Sequence, residues 1–259
     1  MTTQFLDSTP VVGVFLAFVA ISLVVYEVGY RLGRWWQHRT PDHKDGPTGM
    51  LVASLLGLLA FLLALTMSMA SDRFDTRRGL VLEETNSIGT TYLRAGFLDE
   101  PAAGDIKRLL REYVPLRVTV NDRAQYLANQ DALIAILNQI WKQAEGVARA
   151  HPESETVSLF IQTLNDTIDL QTTRATAVIL ARVPDTILIL LFLGEVLAMG
   201  IVGYSAGLTG SRGLVAALML VLAFSAVLTL VVDLDRPRDG FLQVNQQPLI
   251  TLSEQLGPP

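Results

Sequence analysis

Four long apolar runs dominate the pattern of hydrophobic and polar positions along the chain. They cover residues 10–30, 49–70, 184–204 and 213–232. The second and fourth runs carry no charged residue, the first carries only Glu27, and the third carries Asp185 at its edge and Glu195 near its middle. A helix of about 20 apolar residues is long enough to cross a hydrocarbon core of about 30 Å. The pattern therefore predicts four membrane helices, arranged along the chain in two pairs.

The polar segment between the two pairs predicts a helical soluble domain. Its apolar residues recur at helical spacing, and the period-two alternation of strands is not found. We expect helices over residues 72–98 and 102–127, a third capped by Asn129, and a fourth that runs toward Pro184. The first and last should be continuous, or nearly so, with the second and third membrane helices. The predicted domains are residues 10–70 (first membrane pair), 71–183 (soluble domain), 184–232 (second membrane pair) and 233–259 (a tail packing on the soluble domain). The predicted fold class is an all-α membrane protein.

Composition argues against several classes of function. Hydrophobic residues make up 50% of the chain and charged residues 17%, the formal net charge is −5, and cysteine is absent. This charge balance gives no sign of nucleic-acid binding, and without cysteine there is neither a disulfide nor a thiolate metal site. The motifs of phosphate-binding loops, serine hydrolases, zinc proteases and calcium loops are missing as well. We therefore predict that the chain is not an enzyme and has no cofactor or metal site.

One polar cluster leaves a cation site open as an alternative. Asn165, Asp166 and Asp169 lie within two helical turns and offer oxygen ligands. Hard cations require six or more convergent oxygens, so a solvated or inter-helix polar stripe is the favoured interpretation.

Glu195 is the ionisable residue placed deepest in a predicted membrane span. A charge there costs at least about 2.5 kcal/mol unless the group is paired, protonated or in contact with water. Glu195 is therefore a functional candidate, and a protonated or hydrogen-bonded packing residue is the alternative.

Small residues recur on two of the predicted membrane helices. They are Ala53, Gly57, Ala60 and Ala64 on the second, and Gly200, Gly203, Gly207 and Gly210 at the end of the third. Small residues let helices approach closely in lipid. We favour packing within one subunit over a subunit interface for both sets.

The densest charged segment follows the second membrane helix. It contains Asp72, Arg73, Asp75, Arg77 and Arg78 within about two turns, and Asp75 can pair with Arg78 at the i, i+3 spacing. From composition alone, this segment is typical of an interfacial stop with arginines that reach the lipid head groups.

Three motifs, in the same order along the chain, resemble segments of the bestrophins. The first is Leu55-Leu56-Gly57, then Ser71-Asp72-Arg73-Phe74-Asp75 with Arg77-Arg78, then Glu83-Glu84 and Asn86. The second is Arg182-Val183-Pro184, and the third is Asp233-Leu234-Asp235-Arg236-Pro237 followed by Gln247-Pro248-Leu249. The match is closer to the bacterial bestrophin-like family of unknown function. It covers most of residues 50–256, although Phe74-Asp75 replaces the paired tryptophans of bestrophins and the acidic calcium clasp of animal members has no counterpart.

The resemblance implies a homo-pentameric channel for inorganic ions, with the second membrane helix lining the pore. It favours anions over cations as the ions that pass. It places the pore face on Phe61, Leu65, Ser68 and Asp72, which share one face of a helix. Charges at the pore mouth would then come from Arg73, Asp75, Arg77 and Arg78. A membrane-anchored helical sensor or scaffold that does not conduct ions is the second hypothesis.

Charge in the short loops and the resemblance predict opposite orientations in the bacterial inner membrane. The two short loops carry Arg31, Arg34, Arg39, Lys44 and Arg212, which would place the soluble domain outside the cell. When the arginines of the soluble domain that lie near the membrane are counted too, that side has more basic residues than the side with the two short loops. Following the resemblance, we expect the soluble domain and both termini to lie in the cytoplasm, with the lipid bilayer as the surrounding partner.

Overall fold

The computed structural model describes residues 9–39, 48–118, 123–179, 182–236 and 240–258, and within these ranges the secondary structure is helical, without strands. The helices are α1 (Val11–Arg39), α2 (Thr48–Ala95), α3 (Ala102–Val118), α4 (Arg123–Ala150), α5 (Glu155–Ile179), α6 (Asp185–Thr209), α7 (Leu214–Asp235) and α8 (Gln247–Leu256).

Four of these helices are long and apolar enough to cross a membrane, namely α1, α2, α6 and α7. They correspond to the four predicted runs and confirm the all-α membrane class. Each helix differs from its run at the ends. For example, α7 continues past Val232 to Asp235.

The chain divides into two compact units. The first unit comprises the residues up to Arg73 together with Arg182–Leu242, and the second comprises Phe74–Ala181 and Gln243–Pro259. The first part of α2 belongs to the first unit and the remainder to the second.

In the first unit, α1 and α6 pack backbone against backbone. A Cβ atom on Gly29 or Gly33 of α1 would collide with the carbonyl oxygen of Gly200 or Tyr204, and one on Gly203 would collide with that of Tyr26. Two helices in lipid gain no hydrophobic free energy by associating, so close backbone approach through glycine supplies the attraction. The predicted packing role of the α6 glycines within one subunit is confirmed.

The apolar core of the first unit lies between α2, α6 and α7. Leu59 and Leu63 of α2 are buried against Leu191 and Ala198 of α6 and Leu228 of α7. This contact fixes which side of α2 faces its own subunit.

The second unit has a larger apolar core, which receives residues from every helix of the unit. Among its fully buried side chains are Ile88 of α2, Leu110 of α3, Ile140 of α4 and Phe160 of α5. Leu249 of the short helix α8 is also buried in this core.

One predicted helix boundary is wrong. We expected a helix over residues 102–127 and a new helix capped by Asn129, but α4 already begins at Arg123, while residues 119–122 of the predicted helix lie outside the described ranges. Asn129 therefore lies inside α4. The apolar residues that recur at helical spacing in α4, Leu133, Leu137, Ile140 and Ala144, are all buried, because the apolar period identifies a helix face better than a helix end.

Candidate functional site

The apolar side chains proposed for the pore lie on the face of α2 that its own unit leaves open. Phe61 is 60% exposed and Leu65 is 50% exposed, and Ser68 and Asp72 are exposed further along the same face. On the opposite side, Leu59, Leu63 and Thr66 are buried. The two faces of α2 thus differ sharply within the first unit.

The small residues of α2 lie on the open face as well, contrary to our expectation that they pack within one subunit. Ala53, Ala60 and Ala64 are exposed, and a Cβ atom on Gly57 would meet no atom of the described part of the chain within 4 Å. The stripe follows the same helical periodicity as the α6 glycines, so the sequence alone could not separate the two sets. We name the surface formed by Ala53, Gly57, Ala60, Phe61, Ala64, Leu65, Ser68 and Asp72 the open face of α2.

The charged residues that follow Asp72 divide between surface and interior. Arg73 is half-buried in the first unit, whereas Asp75 and Arg78 are exposed in the second. Arg77 is only 3% exposed. Arg77 therefore does not belong to the solvent-facing charges of this segment.

Glu195 lies fully buried in the first unit, where it joins three helices. The hydroxyl of Ser22 on α1 donates a hydrogen bond to Oε1 of Glu195 at 2.8 Å, and that of Ser225 on α7 lies 3.4 Å from the same oxygen. Oε2 has no hydrogen-bond partner among the described residues. The sequence singled out Glu195 but not the two serines, which are lone hydroxyls in apolar runs.

The aspartates of the third motif hold turns within the first unit. Asp233 accepts hydrogen bonds from the backbone N–H groups of Phe241 and Leu242, at 3.0 and 3.1 Å. Asp235 accepts one from Val183 at 2.7 Å, immediately before α6 begins. Both carboxylates are buried, so these bonds give the motif a structural role.

A buried ion cluster holds the second unit together. Glu84 of α2 is inaccessible to solvent, and its two carboxylate oxygens accept hydrogen bonds from Arg117 of α3 and Arg174 of α5, each at 2.6 Å. Arg174 also donates to the side-chain oxygen of Gln246, at 2.6 Å. Three segments distant in sequence therefore meet at one carboxylate.

Burial shifts the proton affinities of groups around this cluster. It raises the pKa of the Tyr113 hydroxyl, and it lowers the pKa of the Arg174 guanidinium, an effect that the Glu84 carboxylate opposes. A buried charge is retained only when a partner compensates the lost hydration. Glu84 supplies that compensation for both arginines.

The acidic stripe considered as a cation site lines a groove of the second unit. The groove, of about 500 Å³, is lined by Glu83 of α2 and by Asp166 and Asp169 of α5, together with hydroxyl and amide side chains. Within the described residues, no group of three or more histidine, cysteine or carboxylate side chains is arranged to hold a metal ion. The groove therefore gives no support to the cation alternative.

These features define an integral membrane protein with four helical spans and buried polar links between its helices. The sequence profile of the Bestrophin-like domain matches residues 16–249, so the chain belongs to the bestrophin-like family, as the three motifs predicted.

Solved structures of bacterial bestrophin homologues share the fold. A mutant form of the homologue from Klebsiella pneumoniae superposes with a TM-score of 0.70 at 15% identity, and the alignment covers 96% of this chain and 98% of that one. A form of the same homologue solved by zinc phasing gives 0.66 at 16% identity, with 94% of each chain covered. No curated protein matches the chain in sequence.

The buried ion cluster leads to a test of what stabilises the second unit. Replacing Glu84 by Gln removes the carboxylate that two buried guanidiniums share, and breaking a buried pair typically costs about 3–5 kcal/mol. We expect Glu84→Gln to lower the free energy of unfolding by that amount, measured by circular dichroism on the full chain in detergent. Glu83→Gln, at an exposed neighbouring position, is the control and should leave it within about 0.5 kcal/mol. Equal stability of the two variants would show that the cluster does not stabilise the fold.

Proposed function

We propose that the chain is the subunit of an oligomeric ion channel, with five copies of α2 around a central pore. The observation that carries this proposal is the open face of α2, which the subunit itself leaves uncovered. The family supports it too, since bestrophins are known as channels rather than enzymes.

Exposure alone does not distinguish a pore face from a lipid face. Leu197 on α6 and Met219 on α7 are as exposed as Phe61, and lipid tails are sufficient to cover them. The open face of α2 differs because alanine and glycine accompany its large residues, which permits close approach of identical helices. It also becomes polar at Ser68 and Asp72, as the lining of an aqueous path would.

Phe61 and Leu65 would form the narrow part of the pore. Rings of apolar side chains can close an ion path by excluding water, without a mechanical plug. Ser68 and Asp72 would then line the wider, hydrated continuation toward the soluble domain.

The charges near the mouth favour anions only weakly. Arg73 and Arg78 would raise the local anion concentration through their summed field, while Asp72 and Asp75 oppose them. Arg77 is left out because its side chain is buried. Anions are the proposed cargo chiefly on the family resemblance.

The proposed channel lies in the bacterial inner membrane, with the soluble domain (residues 71–183) and the tail (residues 233–259) in the cytoplasm. Ions would therefore meet the charged segment after α2 on the cytoplasmic side.

The apolar constriction predicts leaky variants. Phe61→Ala or Leu65→Ala widens and wets the proposed neck, so ion flux through proteoliposomes should rise severalfold over that of the wild type. The flux is measured with an anion-sensitive dye trapped inside the vesicles.

Leu197→Ala is the matched control, because Leu197 is exposed to a similar degree on a different helix. It should leave the flux unchanged. If no variant conducts, or if all three leak equally, the pore does not run along α2.

The mouth charges predict opposite shifts in selectivity. Removing Arg73 and Arg78 together, as glutamine, should lower the anion-to-cation permeability ratio by about fivefold, the factor to which ~1 kcal/mol corresponds. Removing Asp72 and Asp75 as asparagine should raise the ratio. Reversal potentials across a planar bilayer with a salt gradient report both changes, and shifts of the same sign in the two double variants would contradict the assignment.

The number of subunits separates the channel from the sensor or scaffold hypothesis. Five copies are expected by native mass spectrometry of the purified protein and by particle images along the membrane normal. A monomer or dimer would leave the open face of α2 against lipid and would favour the membrane-anchored sensor.

A further inference from the structure

The carboxyl group of Glu195 is the most isolated ionisable group in the membrane part of the protein. It is 0% exposed, and its hydrogen bonds link α6 to Ser22 of α1 and to Ser225 of α7. Both hydroxyls approach Oε1, while Oε2 has no hydrogen-bond partner among the described residues. One carboxyl oxygen is therefore buried without a hydrogen bond from the described residues.

No cation lies within the parts of the spans that surround this carboxyl. Residues 11–25 of α1, 48–70 of α2 and 214–232 of α7 contain no ionisable side chain, so Ser22 and Ser225 are the polar groups these helices direct at it. On α6 itself, Asp185 and Tyr204 are the nearest titratable residues, nine or more positions away and so at least about 13 Å along the helix.

The nearest titratable groups of α1 are already engaged elsewhere. The Tyr26 hydroxyl, one turn beyond Ser22, donates to the carbonyl oxygen of Arg212. Glu27 is paired with Arg31 at 2.8 Å and with Arg212 at 3.4 Å. Neither group provides a positive charge to Glu195.

Two ligands can neutralise such a carboxylate, namely a metal cation or a proton. A hard metal ion requires about six oxygen ligands, whereas the hydrogen bonds found among the described residues bring together the Glu195 carboxyl and two serine hydroxyls. A proton requires no more than the carboxyl itself. The neutral acid also avoids the cost of a buried, uncompensated charge, which far exceeds that of one unmade hydrogen bond.

We propose that Glu195 is a proton-binding site in the core of the membrane bundle, occupied at neutral pH. The proton resides on Oε2, and Oε1 remains the acceptor for Ser22 and Ser225. The bound proton allows α1, α6 and α7 to share a polar link without placing a charge among them. This inference does not depend on ion conduction.

Infrared spectroscopy of the full chain in detergent can detect the bound proton directly. The carbonyl stretch of a neutral carboxylic acid is well separated from the carboxylate bands. We expect the difference spectrum of wild type minus Glu195→Gln at neutral pH to show a neutral-acid band. Glu27→Gln is the matched control, since Glu27 is ion-paired in the same bundle and should contribute carboxylate bands instead.

A loss of carboxylate intensity in Glu195→Gln would overturn the proposal. So would conversion of the neutral-acid band to carboxylate bands when sodium is the only added cation, because a metal ion would then be the ligand. The amide of glutamine is a neutral isostere of the protonated acid, so Glu195→Gln should fold and melt at nearly the wild-type temperature.

A second measurement keeps the test decisive if that variant does not fold. Wild-type protein labelled with carbon-13 at its glutamate carboxyls should show an isotope-shifted neutral-acid band at neutral pH. If labelled glutamates contribute only carboxylate bands at that pH, Glu195 is ionised and the proposal fails.

Discussion

The exclusion of charge from the hydrocarbon layer is the constraint on which the membrane part of this protein depends. It accounts for four spans with so few ionisable side chains, and for an open face of α2 that becomes polar only at Ser68 and Asp72. It also makes Glu195 exceptional. Its carboxyl is out of contact with solvent, and the hydrogen bonds it accepts come from hydroxyls on two neighbouring helices.

Several residues that carry the family resemblance have structural roles. Asp233 and Asp235 bind backbone N–H groups, and Glu84 binds two arginines inside the second unit. A buried, hydrogen-bonded carboxylate fixes its neighbours more narrowly than apolar packing does. In this chain, these motif residues therefore hold the fold together. The proposed path combines Asp72 of the first motif with Phe61 and Leu65, which no motif contains.

The sequence was sufficient to predict the spans, the helical class and the family, because run length and apolar period are strong signals. It was not sufficient where a helix end depends on local turns, so the boundary placed at Asn129 was wrong. Nor could it separate the α6 glycines, which pack on α1, from Gly57, beside which a Cβ atom would meet no atom of the described residues. Exposure is decided by the other helices, and the periodicity of one helix does not contain that information.

Sequence reasoning also missed partners that lie far away in the chain. Arg117 lies on the buried face of α3. An arginine in line with the apolar residues of that face was a signal in the sequence for a buried cation. The partnership with Glu84 could not be read from the sequence, because it depends on which helices meet. For the same reason Arg77, counted with its neighbours by proximity, proved to be buried.

The glycine contacts between α1 and α6 limit how the bundle can move. Carbonyl oxygens of each helix lie where Cβ atoms on the other would be, so any residue other than glycine at positions 29, 33 or 203 would collide with the opposing backbone. Shear, the sliding of packed helices past each other, would move these glycines away from the carbonyl oxygens that they accommodate. We therefore expect α1 and α6 to move as one rigid pair, so that a rearrangement of the bundle would take place at its other helix contacts.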